Sequence, residues 1–542
     1  MSHTTIPTDV EKHSNEKRFN EKKDAELDRI ITNASLTGDG VSSAYELKCH
    51  LVNKCLQEEI GFGRFQWQLF FLSGLGWMAD NLWLQGVAIV LGQVQTEFNP
   101  NRIEFATLSL YVGLIVGALT WGILADIIGR KLSFNITLCI AGIFGLASGG
   151  APNFVGFCAL LACIGFGIGG NLPVDGALYL EHIPQTSQWT LTLLSAFWAI
   201  GQLVASLLAW VFIGNFSCAS GTVAGQCAKG DNMGWRYLFL TLGAMTFLIF
   251  IFRFLIFNLE ESSKFLIAKG RDEEAIAVLT RIAKKNGTPM SLTLEQFQAI
   301  DGGPAVSRPP PTIMQTLKGC FSKVSFSHIS PLFANKRLAI NTSLTLAAWA
   351  LIGLAYPLYN GFLPLYLAER VADQENSINV TFRNYSIISV LGVPGSLAAC
   401  VIVDWTRGTG KFTFGGRKFS MALFTALTGV FLFLFTTASN EAAVLGYNCA
   451  SGFTQNAMYG ILYAYTPEVF PGPHRGTADA LASALNRIFG VLAPVIKMAS
   501  TTASGESTSN INAPIYVSAS LFLVTAALMM GLPIETAGRA AL

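Results

Sequence analysis

A chain of 542 residues that is 51% hydrophobic and only 13% charged cannot clothe a water-soluble globule of its size, since soluble domains carry about a quarter charged residues. Its 39 Phe, 10 Trp and 52 Gly suit lipid-facing and tightly packed helices. A net charge of +2 gives no reason to expect a nucleic-acid partner.

Residues 1–60 are the polar exception, and the mixed charges from Glu11 to Arg29 read as a largely disordered tail. The first apolar run begins near residue 65, so no cleaved signal peptide is expected, and Ala44–Glu59 has the pattern of a short amphipathic helix. Apolar runs then recur, each long enough to cross roughly 30 Å of hydrocarbon. They are predicted at 67–91, 105–125, 132–150, 154–178, 189–213 and 235–257, then at 338–362, 384–403, 418–437, 442–465, 477–500 and 513–533. The expected fold is an all-α integral membrane protein with twelve transmembrane helices in two six-helix pseudo-repeats. Its parts are a cytoplasmic tail (1–60), a first bundle (61–257), a cytoplasmic central loop (258–337), a second bundle (338–533) and a short cytoplasmic C-terminus (534–542). Within the central loop, Ala275, Ile276, Leu279, Ile282 and Ala283 share one helical face, which predicts surface helices against the spans.

Positive charge supports this orientation. With the N-terminus inside, short inner loops hold Arg130, Lys131, Arg407, Lys411, Arg417, Lys418 and Arg475, whereas outer loops hold Arg102, Lys229, Arg236, Arg370 and Arg383. Both termini are expected in the cytoplasm, with the plasma membrane as host.

The halves echo each other. Gly122-Ile-Leu-Ala-Asp126-Ile-Ile-Gly129-Arg130-Lys131 follows the second span, and Asp404-Trp405, an insertion and Gly416-Arg417-Lys418 follow the eighth. Glu181 closes the fourth span and Glu468 the tenth, 55 and 64 residues beyond their aspartates. These residues resemble the major facilitator superfamily, whose loop motif is Gly-x-x-x-Asp-x-x-Gly-Arg-Lys. The resemblance implies a two-bundle transporter working by alternating access. Gly122, Asp126, Gly129, Arg130, Lys131, Glu181, Asp404, Arg417 and Glu468 would then form charged conformational latches. Ile60-Gly-Phe-Gly-Arg64-Phe-Gln-Trp67 with Gly76-Trp-Met-Ala-Asp80 is similar to the synaptic-vesicle-glycoprotein-like and organic-ion branch. Leu532-Pro-Ile-Glu535-Thr-Ala-Gly538-Arg539 is similar to the close of sugar porters. The fourth span lacks the arginine common in the family, the fifth lacks the drug-antiporter glycine run, and the seventh lacks the paired glutamines of sugar porters.

Gly165-Phe-Gly167-Ile-Gly-Gly170 matches the dinucleotide fingerprint formally, but it lies inside an apolar run, where small residues serve helix contact. No metal-ligand or nucleophile constellation is seen, no cofactor is expected, and with no nucleotide-binding motif ATP is not the driver. Cys218 and Cys227 share an outer loop nine positions apart and are expected to form a disulfide. Asn379, and less favourably placed Asn215, head glycosylation sequons.

Ionisable residues deep in spans are costly and mark function. Asp80 and Arg487 lie near the middle of spans one and eleven, with Asp175 in span four as a second carboxylate. Arg253 and Lys497, near span ends, are expected to snorkel to the interface. Tyr356, Tyr359, Asn360, Gln455 and Asn456, together with Tyr385, offer polar edges in an aromatic setting. Arginine can grip a carboxylate through two parallel hydrogen bonds, and organic-anion members of the resembling branch place an arginine in span eleven. The expected function is therefore proton symport of a small organic carboxylate, bound by Arg487 with those polar side chains and coupled through Asp80 and Asp175. Sugar or polyol transport, with Arg487 structural, and a non-transporting sensor of the same fold are the alternatives. The expected partners are the solute, protons and the lipid bilayer.

Overall fold

The computed structural model describes residues 40–187, 189–219, 221–256, 259–301, 330–333, 335–370, 377–402, 406–407, 414–470, 472–500 and 512–536. Asp404 lies outside them. Asp126 falls in a described helix, but its side chain is outside the described ones.

Every predicted span corresponds to helix. Spans one to three are Arg64–Phe98, Glu104–Ile128 and Arg130–Ser148. Span four is broken into Phe154–Ile168 and Asn171–His182, span five is Trp189–Phe212, and span six is Gly234–Ile251 continued by a π turn, Phe252–Ile256. In the second half, span seven is broken into Lys336–Asn360 and Leu363–Arg370, and spans eight to ten are Ser377–Ile402, Gly416–Thr437 and Glu441–Val469. Span eleven is broken into Gly472–Gly490 and Leu492–Ala499, and span twelve is Ala513–Met530. Pro357 near the end of the first piece of span seven removes a backbone donor, which fits the break that follows.

Among the described residues nine helices are long and apolar enough to cross a membrane on composition alone. Spans one, four and ten fall outside that set for different reasons. Span four is divided between two short helices, whereas spans one and ten carry polar side chains turned inward. Gln66, Asp80, Asn81 and Gln85 are buried in span one, and Asn448, Gln455 and Asn456 in span ten. The least apolar long spans thus bring polar groups to the interior.

The glycine run of span four is a helix contact. A Cβ on Gly165 would lie 2.3 Å from the Leu110 carbonyl of span two, and one on Gly113 would lie 2.1 Å from the Ala162 carbonyl of span four. Neither backbone can retreat without separating the helices. Gly165→Val is expected to cost at least the ~1–3 kcal/mol typical of overpacking, read as a lowered melting temperature of the purified protein. Gly446→Ala, at a position with nothing within 4 Å, is the control expected to keep its stability.

The chain divides into two compact units. The larger holds both bundles. The smaller, in its described part, joins residues 40–61 to 262–301. Its helix Gly40–Cys55 gives order to residues expected to be mostly tail. Lys48 is buried there, with its Nζ 2.6 Å from both Asp272 and Asp301, and Ser291 donates to Glu59 from its amide (2.6 Å) and its hydroxyl (2.5 Å). Of the predicted apolar face on helix Asp272–Asn286, Ala275, Leu279, Ile282 and Ala283 are buried and Ile276 is half-buried.

Candidate functional site

The two Gly-Arg-Lys motifs build the same device twice. Gly129 (φ 102°) and Gly416 (φ 79°) take positive φ, a conformation that favours glycine, and each turns the chain into the next helix. The freed backbone amides of Arg130 and Lys131 donate to Glu261 (3.1 and 3.2 Å), and those of Arg417 and Lys418 donate to Glu535 (3.0 and 3.2 Å). A carboxylate at a helix N-terminus satisfies orphan donors and complements the dipole. Arg130 pairs with Glu181 and Arg417 with Glu468. Both pairs have the same sequence separation, 181 − 130 = 51 and 468 − 417 = 51. Lys131 contributes its amide here, while Gly122 is exposed with nothing within 4 Å of its Cβ position. The sequence reading did not assign Glu261 this capping role. Its signal was its place after span six, matching Glu535 after span twelve.

Deeper in the bundles lie Asp80, Arg487, Asp175 and Arg253, all buried. Asp80 is 2% exposed, and its Oδ1 is buried without a hydrogen-bond partner. Arg487, Asp175 and Arg253 are the charged groups acting on it. The Arg487 guanidinium crosses between bundles and donates to the Gly169 carbonyl at the break in span four. Asp175 has a fixed partner that the sequence reading missed. Arg253 donates to it at 2.8 Å, both side chains are 0% exposed, and the same guanidinium donates to the Leu72 and Phe134 carbonyls and stacks 3.7 Å over the Phe134 ring. Gly76 leaves the room this requires, since a Cβ there would sit 1.7 Å from Asp175 Oδ2.

Two expectations are corrected here. Arg253 does not snorkel to an interface, because three carbonyl or carboxylate acceptors on spans one, three and four hold it inside. Lys497 is likewise buried, 4.8 Å from the centroid of the Tyr366 ring. Asp175, counted with Asp80 as a proton site, carries an arginine on one oxygen, although its Oδ1 is also buried without a partner.

Around Asp80 and Arg487 the walls are aromatic and amide-rich. Tyr463 meets both Trp77 and Trp349 at 4.9 Å, and Tyr356 meets Tyr459 edge-on at 5.2 Å. Trp77 Nε1 is buried with no acceptor. Asn360 donates to Gln455 Oε1 at 2.8 Å, which leaves Gln455 Nε2 buried and unpartnered. Asn456 donates to the Gly452 carbonyl, while the Tyr359 hydroxyl is taken by Asn448 within the second bundle. Tyr356 reaches across to the first bundle, where Gln85 donates to its hydroxyl at 2.9 Å. Asn81 and Gln85 were not anticipated. Their signal was an i, i+4 pair of amides beside Asp80 on one helix.

At the far end of the molecule Cys218 and Cys227 are joined by a disulfide, with Cα atoms 6.1 Å apart. Arg236, counted as an outer-loop charge, is buried against Glu97 at 2.6 Å and donates to the Gly149 and Ala151 carbonyls. Asn379 is half-buried in the first turn of span eight, and its Oδ1 accepts from Trp210 Nε1 at 3.1 Å. The glycan expected at Asn379 therefore conflicts with helix packing, whereas Asn215 is exposed.

Duplicated six-span bundles, each with a glutamate-capped Gly-Arg-Lys turn, and with buried charges and unpartnered polar atoms between their helices, define a polytopic membrane transporter rather than an enzyme. A sequence profile described as Major Facilitator Superfamily matches residues 68–416. The chain belongs to the major facilitator superfamily. It is 46% identical over 499 residues to MFS siderochrome iron transporter 1 of Ceriporiopsis subvermispora (strain B), covering 92% of each chain. It is 29% identical over 487 residues to the synaptic vesicle 2-related protein of Pongo abelii, covering 89% of this chain and 80% of that one. Its fold is like that of the E. coli proton:xylose symporter XylE bound to 6-bromo-6-deoxy-D-glucose, with a TM-score of 0.63 at 16% identity, over 88% of this chain and 98% of that chain.

Proposed function

We propose that the protein is a secondary transporter carrying a small organic carboxylate together with a proton by alternating access, in the plasma membrane, with both termini in the cytoplasm. The observation that carries this reading is the buried Asp80 oxygen with no hydrogen-bond partner, in the field of Arg487. A buried carboxylate oxygen without a hydrogen-bond partner, on a span that faces Arg487, has room to take up and release a proton. Arginine offers five donors in a planar fork, and the bond to the Gly169 carbonyl uses one of them. A cargo carboxylate can take two others in parallel, with the unpartnered Trp77 and Gln455 N–H groups as further donors. The proton goes to Asp80. Asp175, held by Arg253, fixes spans four and six around it.

Proteoliposomes loaded at neutral pH and diluted into acidic buffer provide the test. Uptake of labelled small carboxylates is expected to exceed equilibrium and to collapse with a protonophore. Uptake insensitive to the pH gradient would remove the proton from the reading. The relative named as a siderochrome iron transporter supports a second reading, in which the cargo is a ferric siderochrome. Accumulation of the iron-loaded chelate, with small carboxylates neither carried nor competing, would favour it.

A further inference from the structure

Span one joins two levels of the molecule. On the side of the disulfide, its residues Ile89 and Thr96 line a cavity of ≈ 210 Å³ with Cys218, Leu365, Thr381 and Phe382. Below the cavity floor lies Gln85, one turn before Ile89, and Tyr385, one turn after Thr381. Asp80 is five positions further down span one, about 7.5 Å along the helix axis.

At that intermediate level the two bundles are bonded to each other. The Tyr385 hydroxyl of span eight donates to Gln85 Oε1. Gln85 Nε2 donates to the Tyr356 hydroxyl of span seven (2.9 Å) and to Asn81 Oδ1 (3.2 Å), and Asn81 donates to the Trp198 carbonyl of span five (2.7 Å). Gln85 is 1% exposed and Tyr385 0%. Both donors and the acceptor of the Gln85 amide are thus engaged, two of these bonds crossing between bundles.

We infer that Gln85, bonded to Tyr356 and Tyr385, is the gate that separates the cavity on the disulfide side from the Asp80–Arg487 site. The way along span one from that cavity to Asp80 passes these bonds, which tie span one to spans seven and eight. The bonds are uncharged, so opening strands no buried ion. Each parted group needs only a water or a polar atom of the passing solute to replace its partner. Gln85 is therefore a positioning residue for the transport cycle, acting on access rather than on cargo charge.

Ser389 supplies the reporter. It lies one turn beyond Tyr385 on span eight, is 2% exposed and donates to the Tyr385 carbonyl at 2.8 Å. Ser389→Cys is introduced into a chain whose only other cysteines are Cys218 and Cys227. A membrane-impermeant methanethiosulfonate is applied to sealed vesicles from the face bearing the disulfide, and labelling is read by mass. Ser389→Cys alone is expected to be protected. Adding Gln85→Leu is expected to speed labelling at least tenfold, and Tyr385→Phe, which removes one hydroxyl, to give a smaller rise. Should Gln85→Leu fail to fold, Tyr385→Phe decides. Labelling of folded Gln85→Leu and Tyr385→Phe at the rate of Ser389→Cys alone would overturn the gate.

Discussion

Arg487→Lys is expected to lose cargo binding almost completely, a drop of at least a hundredfold in apparent affinity, even though the charge is kept. An ammonium is a point charge that cannot both hold the Gly169 carbonyl and grip a carboxylate through a planar fork. Asp80→Asn is expected to fail differently. It should bind and exchange solute across the membrane at a comparable rate, since exchange does not need the proton site to discharge in each cycle. Uphill uptake driven by a pH gradient should vanish. A purely structural Asp80–Arg487 pair predicts another pattern, in which either single change strands a buried charge and the double neutral variant recovers both stability and transport. Binding, exchange, uphill uptake and melting temperature on the two singles and the double separate these cases. Recovered uphill uptake in the double variant would defeat the assignment of the proton to Asp80.

The fold was legible in the sequence because lipid imposes a coarse rule, namely about twenty apolar residues per crossing with every backbone group satisfied inside the helix. The duplication was legible because Gly-Arg-Lys recurs at a turn where positive φ favours glycine. Long-range pairing was not. Nothing in the hydropathy of Phe252–Ile256 says that Arg253 turns inward, since a basic residue near a span end usually snorkels. Its acceptors at Leu72, Phe134 and Asp175 lie 181, 119 and 78 residues away. Lys497 misled for the same reason. Gln85 escaped notice because amides in a long span are equally consistent with packing along their own helix, as its bond to Asn81 shows, and its partners in the other bundle lie 271 and 300 residues on. The polar residues named for the site fared unequally because period alone cannot separate a side chain facing the interior from one consumed by its own bundle. Tyr356 crosses to Gln85, whereas Tyr359, one turn later, is spent on Asn448.

The Asp175–Arg253 pair carries the largest expected effect on stability. With both side chains fully buried, removing one partner leaves a charge with nothing of opposite sign in contact. Arg253→Met is therefore expected to destabilise by about 3–5 kcal/mol. It also deprives the Leu72 and Phe134 carbonyls of a donor and loosens spans one and three. Asp175→Asn keeps the shape and leaves the guanidinium its two carbonyl acceptors, so a smaller loss is expected. Combining the two removes both charges and should recover much of the stability lost in Arg253→Met, because a neutral buried carboxamide at 175 costs far less than the carboxylate that Arg253→Met leaves stranded. Thermal unfolding of the purified variants measures this coupling directly. Transport measured on the stable double variant then tests the pair's role. If Asp175 only fixes spans four and six, uphill uptake survives in proportion to folded protein. If proton-driven uptake disappears from well-folded double variant while exchange persists, Asp175 shares the coupling with Asp80, and its bond to Arg253 is broken and remade in every cycle.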